Sequence, residues 1–126
     1  MSQLPCRVLV ADDDPTVRLL MQAALAPPEF KVTAVEDGLA AMAAFQSGTF
    51  DIVLLDIEMQ GMDGFELGAA IRATHAALPV MMVTGHSDPA VLEKIRAMAA
   101  ASDFISKPIN WSTLAQRLRP LLDKLD

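Results

Sequence analysis

Cysteine is almost absent: Cys6 is the only one among 126 residues. No intrachain disulfide can form, and a thiol at the start of an apolar run reads as a small buried hydrophobe rather than a reactive group. Aromatic residues make up only 5% of a chain that is 52% hydrophobic. The core must therefore be aliphatic and methionine-rich, which suits helices laid on a sheet of Val, Ile and Leu. Basic residues are scarce too. Ten Lys and Arg face sixteen Asp and Glu, giving a net charge of -6 and a pI near 4.7. Direct nucleic-acid binding, which draws on clustered Lys and Arg, is not expected. No apolar run approaches a membrane span, and Met1 to Pro5 lacks the basic start and apolar middle of a secretory signal. These absences predict a cytoplasmic chain with no membrane partner.

What is present is a period. The length suits one domain with its own core, burying roughly two-thirds of its unfolded surface, so residues 1–126 are expected to form a single domain without an output domain. Arg7-Val8-Leu9-Val10-Ala11 reads as a buried strand running into Asp12-Asp13-Asp14-Pro15, where Asp14 and Pro15 suit an N-cap and first helical position. Val17, Leu20, Met21, Ala24 and Leu25 follow at helical spacing, and Pro27-Pro28 stops that helix. Phe30 to Val35 alternates as a strand nearer the edge. Asp37-Gly38 then leads into an Ala-rich helix from Leu39 to Phe45, closed by Gly48.

The run Asp51-Ile52-Val53-Leu54-Leu55-Asp56 is a fully buried strand with a carboxylate at its end, followed by the turn-rich Glu58-Met59-Gln60-Gly61-Met62-Asp63-Gly64. Phe65 to His75 has the third helical pattern, and Leu78 to Thr84 is another buried strand. Asp88-Pro89 is expected to cap a fourth helix through Ala101, and Asp103 to Ser106 is a short fifth strand ahead of Lys107-Pro108. Asn110 is expected to cap a fifth helix carrying Trp111, Leu114, Leu118, Leu121 and Leu122, with a kink or an early stop at Pro120. Strands alternating with helices over short crossovers predict an α/β fold, a parallel sheet wrapped on both faces. Strands one and three both end in acids. If those acids meet, the two strands are neighbours, as in the doubly wound flavodoxin-like order 2-1-3-4-5.

Asp12, Asp13 and Asp56 would then share one crevice, and like charges that close resist ionising together without a cation. An all-oxygen set with no His or Cys nearby points to Mg²⁺, which commonly bridges a carboxylate and a phosphoryl oxygen. Lys107 offers a compact charge for one phosphoryl oxygen and Thr84 a hydroxyl for another, while an ionised aspartate is a nucleophile that needs no general base. Phosphoryl transfer asks mainly for positioning and charge neutralisation. Singly, the acids read as a helix cap with solvated neighbours, and Thr84 and Lys107 as strand-end surface residues. Their recurrence at the ends of four strands is what carries the functional reading.

Val10-Ala11-Asp12-Asp13-Asp14-Pro15, Leu55-Asp56, Met59 to Gly64, Val83-Thr84-Gly85 and Phe104-Ile105-Ser106-Lys107-Pro108 together resemble the response regulator receiver domain, from one end of the chain to the other. The resemblance implies that Asp56 accepts a phosphoryl group from the phosphohistidine of a histidine kinase or phosphotransfer protein. It implies Mg²⁺ ligation by Asp13 and Asp56 carboxylates, by the Glu58 backbone carbonyl and by Asp12 through water. Thr84 and Phe104 would form a switch pair, Lys107 would pair with the phosphoryl group, and the bond to Pro108 would be cis. Gln60 stands where the family usually has Pro, and Phe104 lacks the hydroxyl of a tyrosine switch.

A rival reading comes from Asp12-x-Asp14-x-Thr16-Val17, which also resembles the nucleophile motif of haloacid dehalogenase-type phosphatases and would make Asp12 the acceptor. That superfamily places its acidic metal pair after its lysine, whereas Asp56 precedes Lys107. Within the receiver reading, the run from Asp103 to Arg119 resembles receivers that precede cyclic di-GMP-metabolising modules. A downstream output protein would be met through helix four, strand five and helix five, with a homodimer as a further expectation. Trp111 is a candidate anchor there or a core residue, His86 a candidate for tuning attack of water on the acyl phosphate, and His75 a helix end.

Overall fold

The computed structural model describes residues 5–85, 89–97 and 103–123. Strands β1 (Cys6–Ala11), β2 (Phe30–Val35), β3 (Ile52–Asp56), β4 (Val80–Thr84) and β5 (Asp103–Ser106) form one sheet. All pairs are parallel in the order β2-β1-β3-β4-β5, the order expected. The inner strands β3 and β4 are buried at every position, while the edge strands β2 and β5 are only intermittently so. That contrast is what a parallel sheet covered on both faces requires of its sequence.

Alternate residues feed two cores. Val8, Val10, Ile52, Leu54, Met81 and Val83 meet α1 (Pro15–Ala24) and α5 (Leu114–Asp123) through Met21, Leu114, Leu118 and Leu122. Leu9, Val53, Leu55, Val80 and Met82 meet α2 (Gly38–Ser47), α3 (Gly64–Thr74) and α4 (Pro89–Ala97) through Ala41, Phe45, Leu67, Ile71 and Ile95. Cys6 is buried, and burial pushes its thiol up to about 12, with Asp51 and Glu29 adding to the effect.

Helices α1, α2 and α3 start where aspartates cap them. Asp14 accepts from the Thr16 amide at 2.9 Å and Asp37 from the Ala40 amide at 2.7 Å, and Asp63 forms a capping box with Glu66. Gly64 has a functional consequence: a Cβ there would lie 2.5 Å from the Asp56 carbonyl oxygen. Only glycine lets α3 begin directly against the tip of β3.

Three expectations change. Asn110 caps a 3₁₀ turn, Trp111–Thr113, through the Ser112 amide at 3.2 Å, and α5 begins only at Leu114. Trp111 is therefore not on α5, and it packs, partly buried, against the core beneath α1 and α5. The early stop at Pro120, one of the two outcomes expected there, does not occur, since α5 continues to Asp123. The Asp88 cap and the stretch from residue 98 to Ala101 lie outside the described residues. The Lys107–Pro108 bond is cis, as is Pro27–Pro28. Among the described residues, no helix is long and apolar enough to cross a membrane.

Candidate functional site

The sheet delivers its polar residues to one end. Register pairs Ala11 with Leu55 and Asp56 with Val83, so Asp12, Asp56 and Thr84 emerge from three adjacent strands. The fourth contribution comes from the connection after β5, where the Lys107 amide donates to the Thr84 carbonyl at 2.7 Å. That bond aims the Lys107 side chain back across the strand ends. Its ammonium lies 3.0 Å from Asp12 Oδ2 and 3.4 Å from Asp56 Oδ2. Asp12, Asp56 and Thr84 are 1%, 4% and 0% exposed, so they are neither solvated neighbours of a cap nor strand-end surface residues. Asp14, by contrast, is an exposed helix cap.

Burial lifts the Asp56 carboxyl from 3.8 to about 6, and the Asp12 charge adds to the lift; Lys107 and the Glu58 amide, which donates to Asp56 Oδ1 at 3.3 Å, oppose it. Burial alone would lower the Lys107 ammonium, but the Asp12 and Asp56 carboxylates outweigh it and hold Lys107 above its ordinary value. One lysine does not satisfy the acids. Asp12 Oδ2 is buried beside Lys107 at 3.0 Å but has no aligned hydrogen-bond donor among the described residues. Asp12, Asp13 and Asp56 each bring a carboxylate oxygen within 4.8 Å of the others. This all-oxygen set, with an incompletely satisfied oxygen inside it, fits a hard divalent cation.

Asp13 and Glu58 are the exposed members of the expected set and stand at the mouth of the crevice. With Gln60 and Asp63 they line an adjoining depression of about 480 Å³, whose other side carries Lys94 packed 4.2 Å over the Phe65 ring. Thr84 and Phe104 share a face: Phe104 pairs with Met82, two residues before Thr84, and packs partly buried on the α2–α3–α4 side. The structure thus brings Asp12, Asp13, Asp56, Glu58, Thr84 and Lys107 to one end of the sheet. His86 lies outside the described residues, and His75 packs edge-on against Phe45 at 4.8 Å.

One residue that the sequence reading passed over stands beside the crevice. Arg18, half-buried on α1, donates from Nη1 to the Asp12 carbonyl at 2.8 Å. A bond to a backbone carbonyl leaves no spacing or charge pattern in the sequence that would have found it.

Residues 8–119 match the family model described as the response regulator receiver domain. Among curated proteins, the transcriptional regulatory protein TcrA of Mycobacterium tuberculosis is 38% identical over 116 residues, covering 91% of this chain and 45% of TcrA. The sensor protein GacS of Pseudomonas syringae is 40% identical over 117 residues, covering 87% of this chain and 13% of GacS. The chain therefore spans less than half the length of either relative. Among solved structures, the chemotaxis protein CheY4 of Vibrio cholerae superposes with a TM-score of 0.83 at 29% identity, covering 92% of this chain and 98% of that one. The response regulator TrrA of Thermotoga maritima, solved in complex with Mg(2+)-BeF, gives 0.79 at 30% identity over the same shares.

Proposed function

The chain belongs to the response regulator receiver family, a phosphoacceptor switch of two-component signalling, and from that premise we propose that Asp56 is its phosphoacceptor. Receiver domains take their phosphoryl group from histidine kinases. In the proposed transfer, an Asp56 carboxylate oxygen bonds to phosphorus as the P–N bond of the donor's phosphohistidine breaks, and the imidazole leaves with the bonding pair. With its carboxyl at about 6, Asp56 is mostly ionised at neutral pH and needs no base.

Lys107 already bridges Asp12 and Asp56, and this is the observation that carries the reading. Its ammonium is placed to exchange one carboxylate contact for a phosphoryl oxygen as the acyl phosphate forms. Asp12, Asp13 and Asp56, with the Glu58 carbonyl, would hold Mg²⁺. When bound, the ion neutralises charge that builds on the phosphoryl oxygens. The buried Thr84 hydroxyl would donate to another of those oxygens, drawing the Phe104 ring inward on the face they share. The changed surface of α4, β5 and α5 would then be read by an output protein or domain, or by a second copy, in the cytoplasm.

The test is labelling by a phosphohistidine donor in the presence of Mg²⁺. Base-labile label is expected on wild type, lost in Asp56→Asn and kept in Asp14→Ala. Label that survives in Asp56→Asn and disappears in Asp12→Asn would instead support the phosphatase-type chemistry.

A further inference from the structure

We propose that Arg18 is a positioning residue for the cation site: it holds the backbone of Asp12 so that the Asp12 and Asp13 carboxylates face the crevice. The inference rests on the proposed Mg²⁺-dependent role of that crevice. The Asp12 amide continues the β1–β2 ladder by donating to the Val35 carbonyl at 3.1 Å, and beyond that ladder Asp12 is gripped at three points. Its Oδ1 accepts from the Asp14 amide at 2.9 Å, its Oδ2 lies 3.0 Å from Lys107, and its carbonyl accepts from Arg18 at 2.8 Å. The first contact is local to the turn, and Asp14 is itself committed to capping α1 through the Thr16 amide. The second depends on Lys107, the group proposed to exchange a carboxylate contact for a phosphoryl oxygen. Of the three, the Arg18 bond ties the Asp12 carbonyl to the body of α1, and phosphorylation leaves it in place. A half-buried guanidinium six residues along the chain closes the β1–α1 turn from outside, and a turn held in that way keeps its carboxylates aimed when the lysine lets go.

The sign of one measurement separates this role from a bystander's. As a mere charge, Arg18 competes with a divalent cation beside the same acids, and removing it would tighten Mg²⁺ binding. As a positioning group, its removal lets the turn relax and weakens binding, on the order of tenfold or more by comparison with other residues that orient metal ligands. The experiment is a calorimetric titration of MgCl₂ into the whole chain carrying Arg18→Met or Arg18→Gln, beside wild type and Asp13→Asn, with metal-free melting followed in parallel.

Mg²⁺ affinity about tenfold weaker in both Arg18 variants, with cooperative metal-free melting retained, is the expected result. Affinity unchanged or tighter in either variant overturns the inference, whatever happens to the melting temperature. Should Arg18→Met fail to fold, Arg18→Gln, which keeps a polar helix-forming side chain, decides alone. If wild type itself takes up no Mg²⁺ that Asp13→Asn abolishes, the metal reading of the crevice falls first, and the role of Arg18 with it. If wild type binds and the Arg18 variants bind equally well, only the role of Arg18 falls.

Discussion

Burial and the Asp12 charge lift the Asp56 carboxyl from 3.8 to about 6 in spite of Lys107, and an acid raised in this way leaves a definite pH signature. Between those values the folded chain holds a proton that the unfolded chain has released, so stability falls as pH rises through the window. The loss is complete above about 6. Asparagine at 56 carries no such charge. In metal-free protein, Asp56→Asn should match wild type near pH 4 and exceed it at pH 7.5 by about 1–3 kcal/mol, the scale of a two-unit shift. Urea unfolding at the two pH values checks this, and a constant difference between the proteins would contradict it. The acid was legible in the sequence because a carboxylate closing a fully apolar run has few other reasons to be there. Arg18 was not, because its partner is a carbonyl, which every residue possesses.

At the scale of elements, the strands and most helices could be read directly, since two-sided burial forces continuous apolar runs and the turns onto α1, α2 and α3 each carry a capping aspartate. The misreadings fall where local signals are ambiguous. An asparagine cap looks the same ahead of a 3₁₀ turn and an α-helix, so nothing in the sequence separates Trp111–Thr113 from α5. Pro120 removes a backbone donor, but Leu118 and Leu122 on either side of it are buried in the core, and their packing carries the helix past it. Alanine restores the backbone donor that proline lacks inside a helix, so Pro120→Ala, at an exposed position, is expected to stabilise by about 1–3 kcal/mol in chemical unfolding. Gly64→Ala should do the reverse. Its Cβ would meet the Asp56 carbonyl oxygen at 2.5 Å and the Ile57 Cα at 2.8 Å, backbone atoms that cannot swing aside. A cost of about 1–3 kcal/mol is expected, together with slower labelling of Asp56 because the tip of β3 must shift. Normal stability with normal labelling would show that α3 can back away without consequence.

Across the whole molecule, acids gather at one end of the sheet. Asp12, Asp13 and Asp14 follow β1, Glu36 and Asp37 follow β2, and Glu58 and Asp63 follow β3. The net charge of -6 is therefore unevenly spread, and the metal-free chain carries its repulsion where a cation would relieve it. Mg²⁺ should raise the melting temperature, because a ligand bound only by the folded form stabilises it, by about 2.7 kcal/mol at a hundred times its dissociation constant. The gain should also depend on pH. With its carboxyl at about 6, Asp56 is largely protonated at pH 5, and that proton must leave before the oxygen can act as a ligand. The Mg²⁺-induced rise should accordingly be smaller at pH 5 than at pH 7.5, and Asp56→Asn should flatten the difference between the two. Scanning calorimetry of wild type and Asp56→Asn, with and without Mg²⁺ at both pH values, decides it. An equal rise in wild type at the two pH values would mean that the ion binds away from Asp56.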